Sequence, residues 1–429
     1  LFLSTLKCFF EGKRDLFKGL YADSMDWEWE EHPVIYIDLN NQQYKDDADF
    51  SDLDILLDAM LRRYEEKWEI SSPETNFSAR FEYLIRQLAE KTGKGVVILV
   101  DEYDKPLVNN INNSGRFVTY RNKLASIYSN FKSSADYIRL VFLTGVSRFG
   151  KLSVFSGLNN IRDISFTDEF AAICGITEQE LIDNFQDGIS SLARKYNRTT
   201  ESEIATLKLH YDGYHFSEEC PDIYNPFSLI QVFANRKYYN YWISSGTPSL
   251  LVEQLKRTDA DLVKVINTIC NQNALEGLDI ENISVESLFY QTGYLTIKSF
   301  DPRRRLFHLG LPNEEVKEGF FEFMLPYYSS LPEQTVAPFV FDLIDEMEEG
   351  KVDDFMKRLQ SLFAGIGYDM KFDEERNVQN ALLIVFTLVG MHVDAEVRTS
   401  DGRIDILVRT SGYIYIMELK YDRSAEEAL

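Results

Sequence analysis

Gly402-Arg-Ile-Asp-Ile-Leu-Val-Arg-Thr-Ser-Gly-Tyr-Ile-Tyr-Ile-Met-Glu-Leu-Lys420 holds two apolar runs, Ile404–Val408 and Tyr413–Leu419, on either side of a short polar turn at Arg409–Gly412. That pattern predicts a β-hairpin. Strand residues two apart share a face, so Glu418 and Lys420 are expected to be neighbours while Met417 and Leu419 turn to the core. The hairpin brings Asp405 towards the same spot. Two carboxylates and an ammonium at a sheet edge suit a hard divalent cation, Mg2+ or Mn2+, which prefers oxygen ligands and keeps several waters. The lysine would orient or activate one water, and the metal would stabilise a phosphorane-like transition state. Ahead of the hairpin come a helical run at Val378–Val389 and a strand around Val393–Arg398, where Glu396 is a further candidate metal ligand. An E-x-K at the end of a surface hairpin arises easily by chance; the preceding Gly-Arg-x-Asp adds the weight.

The composition bounds the rest. A chain of 429 residues is too long for one core and predicts about two to four domains. Hydrophobic content of 45% with 14% aromatic residues indicates a chain folded throughout. No apolar run approaches the length of a bilayer span, so no membrane association is expected. The sequence opens Leu1-Phe2-Leu3 without a basic, cleavable leader and reads as a fragment. Cys8, Cys174, Cys220 and Cys270 are scattered and form no C-x-x-C pair, which fits free thiols in a reducing cytoplasm. His210, His215 and Cys220 invite comparison with a zinc set, but Gly213 and the adjacent aromatics point to turn and packing, and zinc is not expected. The formal charge of −24 argues against unassisted coating of nucleic acid. Arg303–Arg305 and the trio Arg398, Arg403 and Arg409 are the local basic exceptions.

In the first third, apolar runs at Val34–Leu39, Val96–Val100 and Ile138–Thr144 alternate with helical patterns at Asp52–Trp68, Ser78–Thr92 and Phe117–Phe131. Strands alternating with helices predict a mostly parallel α/β sheet. Val96–Val100 is apolar without interruption, as a strand buried on both faces should be. It ends in Asp101-Glu102, at the sheet edge where α/β ligand sites lie. A carboxylate there holds Mg2+ in P-loop ATPases and a following glutamate can polarise the attacking water. Asp101 and Glu102 fit those roles. Gly145-Val-Ser-Arg-Phe-Gly-Lys151 matches G-x-x-x-x-G-K, but Leu152 stands where Ser or Thr should bind Mg2+, and the run follows the acidic strand. It reads as the loop after the next strand, from which Thr144 or Ser147 would sense a nucleotide.

Val100-Asp-Glu-Tyr-Asp-Lys-Pro106, Phe142-Leu-Thr-Gly-Val-Ser147, Phe155-Ser-Gly-Leu-Asn-Asn160, Tyr211-Asp-Gly-Tyr-His-Phe216, Tyr224-Asn-Pro-Phe-Ser228 and the C-terminal hairpin carry a resemblance spanning nearly the whole chain. It is to the uncharacterised bacterial AAA-ATPase-like family joined to a C-terminal PD-(D/E)XK nuclease domain. The resemblance gives Asp405 and Glu418-Leu419-Lys420 the acid and E-x-K roles. It implies a glutamate on the domain's first helix, Glu374 or Glu375. It also implies a phosphate-binding loop just ahead of the helix at Leu1–Phe10, so ATP is expected as a cofactor of the full-length parent and tight binding by this chain is not. A role in defence against foreign DNA or in mobile elements follows from the resemblance alone.

The expected organisation is an AAA-ATPase-like core at 1–166, a helical lid at 167–280, a winged-helix-like module at 281–339, a helical connector at 340–370 and a restriction-endonuclease-like α/β domain at 371–429. The lid should contain helices at Glu178–Tyr196, Glu201–His210, Pro226–Ala234 and Ser249–Arg257. The module should run helix, strand, strand, helix through Val285–Tyr290, Tyr294–Ile297, Leu306–Leu309 and Asn313–Met324. The acids of the connector, Asp342, Asp345, Glu346, Glu348 and Glu349, are expected on a solvated face. The function expected is an ATPase-coupled, Mg2+-dependent nuclease, cytoplasmic, acting on nucleic acid with DNA favoured and oligomerisation allowed. The alternatives are a catalytically degenerate ATPase-like switch or scaffold, and a signalling ATPase whose last domain binds nucleic acid without cutting.

Overall fold

The computed structural model describes residues 2–40, 52–111, 113–146, 160–244, 249–258, 260–276, 284–329, 331–364, 374–390, 394–400 and 403–420, several of them, including 394–400, 403–405 and 418–420, by backbone alone. They fall into two compact units, Leu1–Asp163 with Glu276–Ser287, and Ile164–Leu275 with Leu288–Leu429. Among the described residues no helix is long and apolar enough to cross a membrane.

The first unit is built on a parallel sheet of β1 (Val34–Asp38), β2 (Val96–Asp101) and β3 (Ile138–Leu143), in that spatial order. Val96 to Val100 are wholly buried, because helices cover both faces of the central strand. The helices Asp52–Trp68 and Phe77–Thr92 connect β1 to β2, and Ser114–Ser133 connects β2 to β3. Local chemistry sets their ends: the Asn76 side chain accepts from the Ser78 and Ala79 amides, and Gly93 closes the same helix at φ 66°. Arg80 fixes the two connecting helices together, donating to Glu65 Oε2 at 2.7 Å and to Asp58 Oδ1 at 2.5 Å. The helix Phe2–Phe10 lays Leu3 and Phe10 on Val34, Val97 and Leu99.

The second unit begins with a helical cluster around Leu181, Ile189, Leu192, Leu207, Tyr211, Tyr224, Leu229 and Val232. The single helix expected at Glu178–Tyr196 is two, Glu178–Asn184 and Gln186–Tyr196. The chain leaves helical geometry at Phe185 (φ −122°, ψ 21°), whose ring stacks on Phe233 with centroids 5.4 Å apart. An antiparallel sheet follows, β4 (Ile269–Cys270), β6 (Leu306–Gly310) and β5 (Thr296–Asp301) in spatial order, where two strands were expected. β5 starts two residues later than the Tyr294–Ile297 expectation, since Tyr294 and Leu295 hydrogen-bond back to Phe289 O and close the preceding helix Val285–Gln291. The helix Glu314–Tyr328 then leads to two helices, Val336–Glu348 and Val352–Ala364, not one connector. They turn at Gly350 (φ 73°), and Arg358 joins them by ion pairs to Glu346 and Asp342. Asp342, Asp345, Glu348 and Glu349 are exposed, as expected of a solvated face, and Glu346 alone is partly covered.

The last element group is the helix Glu374–Gly390 and an antiparallel sheet of β7 (Asp394–Ser400), β8 (Arg403–Arg409) and β9 (Ile414–Lys420). A mixed sheet was expected from the sequence; every pairing among the described strands of this sheet is antiparallel. The helix packs on β7 and β8, burying Ile406 and Val408 on the covered face. On the same side Tyr415 donates its hydroxyl to Met347 O at 2.6 Å, tying the sheet to the helical hairpin.

Glu315, in the first turn of the Glu314–Tyr328 helix, is 1% exposed. Its Oε1 accepts from Ser228 Oγ at 2.9 Å and from the Trp242 amide at 2.7 Å. Oε2 has no hydrogen-bond partner among the described residues. Burial pushes its pKa up to about 7, against the backbone and side-chain donors that favour the anion. A raised folded-state pKa means that stability is whole below about pH 4.5 and is lost as pH rises through about 7. Glu315→Gln keeps an acceptor oxygen and removes the titration. Denaturant unfolding at pH 5 and pH 8 should show wild type losing stability relative to the variant, by at most on the order of 3 kcal/mol. Parallel pH profiles would show that Glu315 does not titrate in the fold.

Candidate functional site

In the first unit, parallel pairing sets Asp38 of β1 beside Asp101 of β2 at the carboxyl edge of the sheet. Thr144 follows β3, and its amide donates to Val100 O at 2.9 Å. Its hydroxyl donates to Asp101 Oδ1 at 2.8 Å, while the Tyr36 hydroxyl donates to Asp101 Oδ2 at 2.7 Å. Both oxygens of Asp101 are therefore oriented by hydroxyl groups from the flanking strands. Burial, then the hydrogen bond to Asp101, raises the Tyr36 pKa, so Tyr36 stays a donor.

Glu102 has a left-handed backbone, φ 55°, rare for a residue with a side chain and common where strain is kept for function. Its Oε2 is buried without a hydrogen-bond partner among the described residues, and burial, then Asp104, raises its pKa. That is the environment of a carboxyl tuned to take a proton. Asp104 is fully buried and Oδ1 accepts from the Val146 amide at 3.1 Å. A Cβ at Gly145 would collide with this carboxylate and the Tyr103 ring. The first glycine of the G-x-x-x-x-G-K look-alike thus has a packing reason to be glycine. Ser147 and the rest of that loop, through Lys151, lie outside the described residues.

At the other site, register does the positioning. Arg398 of β7, Asp405 of β8 and Glu418 of β9 form one row across the sheet. Arg403 and Lys420 stand opposite each other in an adjacent row, and Glu396, Leu407 and Ile416 form the row on the other side. Opposed Cα atoms in antiparallel strands are about 4.5–5.5 Å apart. By the two-residue period these rows share a face, the one carrying Ile416, which is 82% exposed, opposite the buried Ile406 and Val408. Asp405, Glu418 and Lys420 therefore occupy neighbouring positions on the uncovered face. Glu396 is on that face too, but Arg398, not Glu396, is in register with Asp405. The turn is Thr410–Tyr413, closed by the Thr410 amide on Tyr413 O at 2.9 Å. Glu374 and Glu375 open the preceding helix.

The comparisons cover both regions. Residues 1–155 match the family described as "Predicted AAA-ATPase", and residues 373–428 match the PD-(D/E)XK nuclease superfamily. A protein of Azotobacter chroococcum mcd 1, described as an uncharacterized protein in the vnfD 5' region, is 33% identical over 437 residues, covering 98% of this chain and 80% of the relative. The chain belongs to the AAA-ATPase-like family with a C-terminal PD-(D/E)XK nuclease domain. No solved structure matches it.

Two contributors to this AAA-ATPase-like edge escaped the sequence reading. Tyr36 lies two residues before Asp38 on β1, and only the parallel pairing shows that its hydroxyl reaches Asp101. Asp104 was read as part of a motif without a role, and it accepts from the Val146 amide just past β3.

Proposed function

We propose that this AAA-ATPase-like, PD-(D/E)XK protein is a nucleotide-regulated, Mg2+-dependent endonuclease that hydrolyses phosphodiester bonds, with DNA as the favoured substrate. The observation that carries the reading is the Asp405–Glu418 register pair with Lys420 on the same face. Acidic positions directly across a strand pair fit a hard cation, which would supply charge neutralisation at the phosphate. Asp405 and Glu418 would hold the cation, Lys420 would orient the attacking water, and Glu396 would extend the acidic face. In the ATPase half Asp101 would hold Mg2+ of the nucleotide, Glu102 would take a proton from water, and Thr144 with Ser147 would sense the phosphate.

The test is an assay of plasmid and single-stranded substrates with Mg2+ or Mn2+, wild type beside Lys420→Ala. Metal-dependent cutting lost in the variant supports the nuclease. No cutting by wild type, with nucleic-acid binding retained, favours a degenerate switch or scaffold. The cytoplasmic location, defence or mobile-element role and segmentation at 166, 280, 339 and 370 belong to the same proposal.

A further inference from the structure

The Tyr211–Phe216 motif opens onto a loop that neither the ATPase nor the nuclease reading uses. Gly213 (φ 91°) makes its first bend, where a Cβ would strike Pro312 O. Pairing of Tyr214 with Ile223 closes it, with the Ile223 amide 3.0 Å from Tyr214 O. Thr296, fully buried, pins His215 from both sides: its Oγ1 accepts from the His215 amide at 2.7 Å and donates to His215 O at 3.0 Å. Inside this frame His215 Nδ1 lies 2.9 Å from Asp222 Oδ1. The Phe216 amide donates to Cys220 Sγ at 3.4 Å, which sets the sulfur on the amide that directly follows His215. A sulfur that accepts a backbone N–H beside an imidazole, itself oriented by a carboxylate, has the arrangement of an activated thiol.

We propose that the His215–Asp222 pair holds Cys220 as a thiolate and that Cys220 is a site of oxidation by small hydroperoxides, forming a sulfenic acid. The charges agree. The Asp222 carboxylate, then Cys220, raises His215 to about 10, so the ring is cationic at neutral pH. Burial works against the Cys220 thiolate, but the neighbouring His215 and Ser217 side chains and the Phe216 and Ser217 amides outweigh it and bring the thiol down to about 7. Other charges facing the cluster are Asp168, which acts on His215, and Lys298 and Lys208, which act on Asp222. Cys220 is 8% exposed, which suits a small oxidant better than a bulky electrophile. Its lone pair attacks one peroxide oxygen, the S–O bond forms as the O–O bond breaks, and the His215 proton goes to the departing oxygen. Sulfur is oxidised by two electrons and the hydroperoxide is reduced to water or an alcohol.

Cys174 supplies an internal reference, because it is exposed and its thiol is raised above the ordinary value. The native full chain is treated with hydrogen peroxide and dimedone at pH 7, and each cysteine peptide is quantified by mass spectrometry. Iodoacetamide alkylation is followed against pH in parallel. Cys220 should be trapped about tenfold faster than Cys174. Its alkylation midpoint should lie near 7 and move towards about 8.5 in Asp222→Asn, whose site is half exposed and tolerates the change. Protection of Cys220 until the protein is unfolded would overturn the proposal. So would the same midpoint in wild type and Asp222→Asn. Neither outcome depends on ATP hydrolysis or nuclease activity.

Discussion

Lys420→Ala is expected to lower Mg2+-dependent cleavage at least about 100-fold, the usual cost of removing one positioned electrostatic group from a hydrolytic site. The position is the reason. Lys420 stands across from Arg403, in the row beside Asp405 and Glu418, on the sheet face away from buried Ile406 and Val408. An alanine there removes the ammonium without opening the apolar layer under the helix Glu374–Gly390. Asp405→Asn should do the same by a different route, weakening the cation through loss of one anionic ligand. Raising Mg2+ should therefore recover part of the activity of Asp405→Asn and none of that of Lys420→Ala. Cleavage rates at several Mg2+ concentrations, with thermal unfolding as a control, separate the two. Full activity in both variants would place the hydrolysis elsewhere.

What could be read from the sequence was what local period and local punctuation encode. The hairpin was legible because period-two alternation fixes which residues share a face; the turn is Thr410–Tyr413 and not the expected Arg409–Gly412, so the register that sets Asp405 opposite Glu418 came only from the structure. β2 was legible because an uninterrupted apolar run has to be buried on both sides, and Val96–Val100 are. Events decided by distant partners were not. The break at Phe185 comes from stacking on Phe233, and helical periodicity runs straight through it. β4 has two residues, too few to show a pattern, and exists because β6 offers it an edge. Glu315 looks like an ordinary first-turn helix acid, favoured by the helix dipole. It is buried because Ser228 and the Trp242 amide, from other helices, converge on its oxygen. At the ATPase-like edge, Asp101-Glu102 was visible as chemistry, but the Tyr36 and Thr144 hydroxyls that aim Asp101 depend on strand order.

Glu102→Gln should cut ATP hydrolysis by the full-length protein about 10²–10⁴-fold while making the first unit more stable at neutral pH. The two effects share one cause. Burial, with Asp104 next, raises the Glu102 pKa, so the folded state disfavours the carboxylate it needs as a base. Stability from this group is present below its unfolded pKa and is lost as pH rises through the folded one. The amide never incurs that loss, keeps the shape, and cannot accept the proton. Such opposition between stability and activity marks a residue held for function. Should nucleotide turnover gate cutting, the variant must also freeze the nuclease in one regime, because a nucleotide shifts a conformational equilibrium only through its differential affinity for the two states. Three readouts on one preparation decide it: ATP turnover, urea unfolding at pH 7, and plasmid cleavage with and without ATP. Loss of turnover with unchanged ATP dependence of cleavage would leave two independent enzymes on one chain. A variant that is less stable and still hydrolyses ATP would remove Glu102 from the chemistry.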